Sequence, residues 1–219
     1  FFGFDDFNSL RRFFPGRKCV FTGFPVRKEI AAVARKAQSP EAFSILVLGG
    51  SQGAHAVNEV VSAALCSAHR AGLKLRVIHL SGLKDEAAMK ARYEQAGLPH
   101  EVHGFLKQMG RAYSGADFVI CRAGAATCSE LAAVGLPALL VPLPGAPRDH
   151  QTANALALSE RGAADMIEQG KLTEDWLVAY LRATIPNGRK LEEMRIAAAG
   201  AHGGSATVKL ADLVETTGK

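Results

Sequence analysis

The chain has 219 residues, 48% hydrophobic and 21% charged, which suits one well-packed globular domain and excludes an intrinsically disordered chain. Its longest uncharged run, Leu131 to Pro147, is broken by Pro137, Pro142, Pro144 and Pro147, so no regular bilayer-spanning helix of about 20 residues fits there. The formal charge of +5 lies within residues 1 to 40, where eight basic residues outnumber three acidic ones; the remaining body is neutral overall, which argues against the contiguous basic face expected of a nucleic-acid-binding domain.

Taken from the start, the first 40 residues also hold eight of the eleven phenylalanines. A basic, aromatic segment of this kind either touches an anionic membrane surface or packs against a domain outside the chain. The first residue is Phe rather than Met, so the chain is expected to continue upstream. Lys18 to Thr22 reads as a strand, Gly23-Phe24-Pro25 as a turn and Val26 to Ala37 as a helix. The four cysteines, Cys19, Cys66, Cys121 and Cys128, have neither C-x-x-C spacing nor disulfide-scaffold density, which favours a reducing compartment and a role as small buried hydrophobes.

From Ser44 onward short apolar strands alternate with helical patterns. Strands are predicted at Ile45–Leu48, Leu75–His79, Glu101–His103, Phe118–Cys121, Ala138–Val141 and Ala164–Ile167. Helices are predicted at Ala54–Arg70, Asp85–Ala96, Lys107–Ser114, Thr127–Val134, Gln151–Arg161, Thr173–Thr184, Lys190–Ala199 and Ser205–Thr216. The alternation implies an α/β fold, a parallel sheet with helices on both faces, whose ligands bind beyond the carboxyl ends of the strands.

Several turns at that edge have informative compositions. Leu48-Gly49-Gly50-Ser51-Gln52-Gly53 links a strand to a helix whose start offers unpaired N–H groups; it is either a phosphate-cradling turn or a plain tight turn. It matches neither a P-loop nor G-x-S-x-G, and His79, rather than an acidic residue, ends the second strand, which disfavours NAD. Gly104-Phe105-Leu106 offers main-chain groups to a flat base, or simply plugs the sheet. In the run from Arg122 to Glu130, small residues leave room for a nucleoside and Glu130 has paired acceptor oxygens for a ribose; alternatively, Thr127-x-x-Glu130 is a capping box. The long, proline-rich turn ending in Asp149-His150-Gln151-Thr152-Ala153-Asn154 gathers polar groups suited to sugar hydroxyls, with Asp149 a candidate N-cap. His100 and His103 would project from opposite faces of a strand, which argues against a metal.

Together, Thr22-Gly23-Phe24-Pro25-Val26-Arg27, Gly49-Gly50-Ser51-Gln52-Gly53-Ala54, the Cys121 to Thr127 turn with Ser129-Glu130, Gly135-Leu136-Pro137, and Asp149-His150-Gln151 through Asn154 resemble the C-terminal half of the MurG family. These are the bacterial peptidoglycan N-acetylglucosaminyltransferases, and the likeness runs from about Phe13 to the end. Phe24 departs from it, standing where the family usually has Asn before Pro.

The resemblance implies a GT-B glycosyltransferase, two Rossmann-like domains with the active site between them. Residues 41–219 would be the UDP-GlcNAc-binding domain and residues 1–40 an interdomain segment left from a truncated N-terminal domain. Phe105 and Leu106 would meet uracil and Glu130 the ribose. Arg27, Ser51 and Gln52 would face the diphosphate, with Arg122, Ala125, Ala126 and Thr127 beside it. His150, Gln151 and Asn154 would contact the GlcNAc hydroxyls. The general base and the pocket for the acceptor, a lipid-linked muramyl-pentapeptide, would lie in the N-terminal half, so no catalytic residue is assigned here. No metal or cofactor is implied. The place of action would be the cytoplasmic face of the bacterial plasma membrane, peripherally bound. Two other readings are a stand-alone UDP-GlcNAc-binding subunit with a separate membrane-bound acceptor partner, and a UDP-GlcNAc 2-epimerase, whose catalytic acids and histidine have no evident counterparts.

Overall fold

The computed structural model describes residues 22–33, 41–49, 54–201 and 206–217. Six strands, β1 (Phe43–Leu48), β2 (Leu75–Leu80), β3 (His100–His103), β4 (Phe118–Cys121), β5 (Ala138–Leu140) and β6 (Ala164–Met166), form one parallel sheet in the order β3-β2-β1-β4-β5-β6. The strands before and after β1 therefore build outward in opposite directions. That reversal between β1 and β4 opens a crevice at their carboxyl ends, where doubly wound sheets take their ligands.

β1, β4 and β5, in the middle of the sheet, are almost wholly apolar because both faces are covered there, whereas the edge strand β3 is polar and half-buried. Along β1, Leu46 and Leu48 face one core, while Ile45 and Val47 face the other. The first core includes Val119, Cys121 and Leu140, closed by residues of α4 (Met109–Ser114), α5 (Ala125–Val134) and α6 (His150–Ser159). The second includes Val77, Phe118 and Ile120, closed by α2 (His55–Arg70), α3 (Glu86–Gln95) and α7 (Glu174–Thr184). α8 (Gly188–Ala201) contributes to both cores, and α9 (Ala206–Thr217) ends the described chain.

The predicted alternation of strands and helices is present. Cys66, Cys121 and Cys128 are free and buried, and burial raises each thiol above its ordinary value, Cys128 to about 12. The helix expected over Val26 to Ala37 shrinks to a single turn, α1 (Lys28–Ala31), begun at Arg27 with no side chain capping it; residues 34–37 lie outside the described residues. Of the strand expected over Lys18 to Thr22, residues 18–21 also lie outside them, and Thr22 is irregular. No helix among the described residues is long and apolar enough to cross a membrane.

Candidate functional site

A cavity of about 410 Å³ opens at the carboxyl edge of the sheet. Leu48 and Leu80, the last residues of β1 and β2, form its floor side, and Gly104, Phe105, Leu106, Lys107, Met109 and Tyr113 come from the turn after β3 and from α4. Thr127 and Glu130 line it from α5, and Arg27 completes it. The volume is within the range of small-molecule sites. Phe105 is 67% exposed, an apolar ring displayed to solvent beside the cavity.

The α5 side is built from the small-residue run. Gly124, in extended conformation at φ −66° and ψ 144°, is the N-cap, and no side chain caps the helix. The first backbone bond that closes it is Cys128 N–H to Gly124 O, 2.9 Å. The N–H groups of Ala125, Ala126 and Thr127 precede that bond, and the first turn carries no acidic residue to offset the helix dipole. Gly135, at φ +68°, ends α5 in the left-handed conformation that glycine takes without strain.

The capping-box reading of Thr127 and Glu130 is overturned here. Thr127 sits inside the first turn, because the alanines before it extend the helix to Ala125. Glu130 instead takes a hydrogen bond on each oxygen from outside its own helix. Arg27 Nη2 donates to Oε1 at 3.1 Å, and the Tyr113 hydroxyl donates to Oε2 at 2.8 Å. Tyr113 is 1% exposed, and burial together with the Glu130 charge drives its phenol far above the ordinary value.

Under the start of α2, a chain of polar groups lies beside Gly49. Asn58 Nδ2 donates to Ser81 O and to Asp85 Oδ2, each at 2.8 Å, which leaves Asn58 Oδ1 to accept from His79 Nε2 at 3.1 Å. His79 Nδ1 then accepts from the Tyr93 hydroxyl at 2.9 Å, so the ring is neutral. Asp85 Oδ1 meets His55 Nδ1 at 3.0 Å on the first turn of α2. Gly49 lies against this chain: a Cβ there would stand 2.6 Å from Asn58 Oδ1 and 3.1 Å from Leu80 O. Ser51 and Gln52 lie outside the described residues.

Arg27, Phe105, Leu106, Thr127 and Glu130 are thus brought together, with Ala125 and Ala126 on the adjoining helix start. Arg122 is not among the cavity's lining residues; it donates to the carbonyls of Val141 and Pro142 and to Gln169, tying the chain after β5 to the turn after β6. His150, Gln151 and Asn154 lie on α6 outside the lining. His150 Nδ1 bonds Pro147 O, Gln151 Oε1 accepts from Leu143 N–H, and buried Asn154 donates to Ala123 O just before α5. Asp149 occupies the N-cap position of α6 in left-handed conformation, but its carboxylate accepts from the Thr152 hydroxyl rather than from a helix N–H.

Lys107, Met109 and Tyr113 are lining residues that the sequence did not single out. The sequence placed them only within the helix expected over Lys107–Ser114. The signal for Tyr113 is chemical: a buried phenol needs a hydrogen-bond partner.

Residues 44–215 match the family model described as the glycosyltransferase family 28 C-terminal domain. A relative from Saccharophagus degradans, named as a UDP-N-acetylglucosamine–N-acetylmuramyl-(pentapeptide) pyrophosphoryl-undecaprenol N-acetylglucosamine transferase, is 41% identical across 94% of this chain and 56% of its own length. One of the same name from Burkholderia cenocepacia is 44% identical across 78% of this chain and 50% of its own. The crystal structure of MurG from Acinetobacter baumannii superposes with a TM-score of 0.74 at 33% identity, covering 92% of this chain and 58% of that one. The chain spans about half the length of the curated relatives it matches. Its architecture is one Rossmann-like half of the GT-B fold, and the chain belongs to glycosyltransferase family 28, corresponding to the C-terminal domain of that family.

Proposed function

We propose that this chain is the donor-binding half of an inverting glycosyltransferase that carries GlcNAc from UDP-GlcNAc to the 4-hydroxyl of a lipid-linked N-acetylmuramyl-pentapeptide. The observation that carries the reading is Glu130, a carboxylate 14% exposed on a cavity of about 410 Å³, between an uncapped helix start and the main chain of Phe105 and Leu106. A carboxylate accepts from both hydroxyls of a ribose, the turn before α4 suits a flat base, and free helix N–H groups suit phosphate. On this reading uracil lies against Phe105 and Leu106. The diphosphate meets Ala125, Ala126, Thr127, Arg27 and the Ser51-Gln52 turn, and the sugar extends toward His150, Gln151 and Asn154. Arg122 supports the neighbouring loop.

The reaction puts negative charge on the departing diphosphate, and donors fixed before the step stabilise it without reorganising. A helix terminus contributes up to about 2 kcal/mol, against the roughly 8–23 kcal/mol by which enzymes lower barriers. The base that deprotonates the acceptor, the acceptor pocket and peripheral attachment to the cytoplasmic membrane face are assigned to a further domain, with residues 1–40 as the segment leading from it.

Calorimetric titration with UDP, UDP-GlcNAc and UDP-GalNAc tests this. The chain should bind the first two, favour GlcNAc over GalNAc, and transfer little sugar by itself. Absence of uridine-nucleotide binding contradicts the donor site, and turnover on a lipid-linked acceptor contradicts the half-site assignment.

A further inference from the structure

Glu130 has two partners of unlike character. Tyr113 is buried, and without Glu130 its hydroxyl would lose an acceptor in a place water does not reach. The Arg27 side chain is 49% exposed and has a second carboxylate, Glu29 Oε1, 3.2 Å from Nη1. Of the two, Arg27 is therefore the one that can leave Glu130 and be rehydrated or paired elsewhere. A ribose diol needs acceptor positions on this carboxylate, so Arg27 stands in the way of the nucleoside.

A nucleoside diphosphate also brings what a guanidinium binds best, phosphate oxygens in bidentate geometry. Resting on the donor-site reading above, we propose that Arg27 is a replaceable cap on the ribose carboxylate. In the empty site it occupies Glu130 Oε1; it yields that oxygen to a ribose hydroxyl when the nucleotide's diphosphate takes the guanidinium. Tyr113 stays on Oε2 throughout. Nucleoside binding alone forfeits the Arg27–Glu130 pair without replacement, whereas the diphosphate replaces it, so the site selects nucleoside diphosphates against free nucleosides. The discrimination is carried by one residue from the segment before β1.

Arg27→Gln separates this exchange from a simple contact. Kd for UDP is measured by calorimetry and Kd for uridine by NMR titration at millimolar concentrations, on the wild-type chain and on the variant. The cap predicts opposite signs: UDP binding weakens at least fivefold, while uridine binds the variant about two- to tenfold tighter than the wild type. Equal weakening of both ligands overturns it, as does unchanged UDP affinity or uridine binding no tighter to the variant than to the wild type. Wild-type chain that binds no UDP fails the donor-site reading itself, an outcome distinct from UDP binding that Arg27→Gln weakens together with uridine.

Discussion

The Tyr113 hydroxyl, on α4, donates at 2.8 Å to Glu130 Oε2, on α5, 17 residues further along the chain. Both residues line the cavity, and the bond holds one carboxylate oxygen there. Tyr113→Phe removes the donor while keeping the ring's packing. Net hydrogen bonds are worth about 1 kcal/mol, more to a charged partner, so UDP binding should weaken about five- to tenfold. The preference for UDP over 2′-deoxy-UDP, measured by calorimetry, should shrink in the variant; an unchanged ratio would show that Tyr113 acts through packing alone.

Base and sugar ends of the site should respond separately. Glu130→Ala should weaken UDP and UDP-GlcNAc alike, by about tenfold or more, because both carry the ribose. Gln151→Ala, on the first turn of α6, should weaken UDP-GlcNAc and spare UDP. Equal losses for both ligands in both variants contradict the assigned roles.

Stability should fall in acid because of His79. Burial holds its imidazole at about 3 against an ordinary value of 6.5. The unfolded chain binds a proton below about pH 6.5 that the native histidine refuses, so stability declines as pH falls from about 6.5 toward 3. The loss from this group is about 2 kcal/mol at pH 5 and about 4 kcal/mol near pH 3. Denaturant titrations at pH 7 and pH 5 measure it. His79→Gln, less stable at pH 7, should show a flatter dependence between those values; an equal slope would place the acid sensitivity elsewhere.

Gly49→Ala should destabilise the chain by about 1–3 kcal/mol, since its Cβ would meet Asn58 Oδ1 at 2.6 Å in a filled site. Displacing Asn58 also loosens the start of α2, so UDP affinity should drop with the melting temperature. A variant as stable as wild type would mean that the turn relaxes without moving Asn58.

The sheet was legible in sequence because its central strands are short and apolar and most strands end at glycine-bearing turns, a pattern that depends on neighbours along the chain. The candidate site was legible in local pattern only where turn composition marked it, as at Phe105-Leu106 and Gly124. Glu130 shows the limit: its local pattern fits a capping box, and its actual partners, Arg27 and Tyr113, come from 103 and 17 residues away. His79 is a second case. At the end of β2 it counted only as a missing acid, while its place among Asn58, Tyr93 and Asp85 depends on how α2 and α3 pack over the strand. Of the helix expected over Val26 to Ala37, the described residues keep one turn, Lys28–Ala31, and residues 34–37 lie outside them.

A crystal structure of the chain soaked with UDP-GlcNAc bears most directly on the whole account. It should place uracil against the main chain of Phe105 and Leu106, the ribose hydroxyls on Glu130, and the diphosphate before Ala125 with Arg27 turned toward it. A cavity left empty at saturating nucleotide, or a nucleotide seated at the amino edge of the sheet, would contradict it.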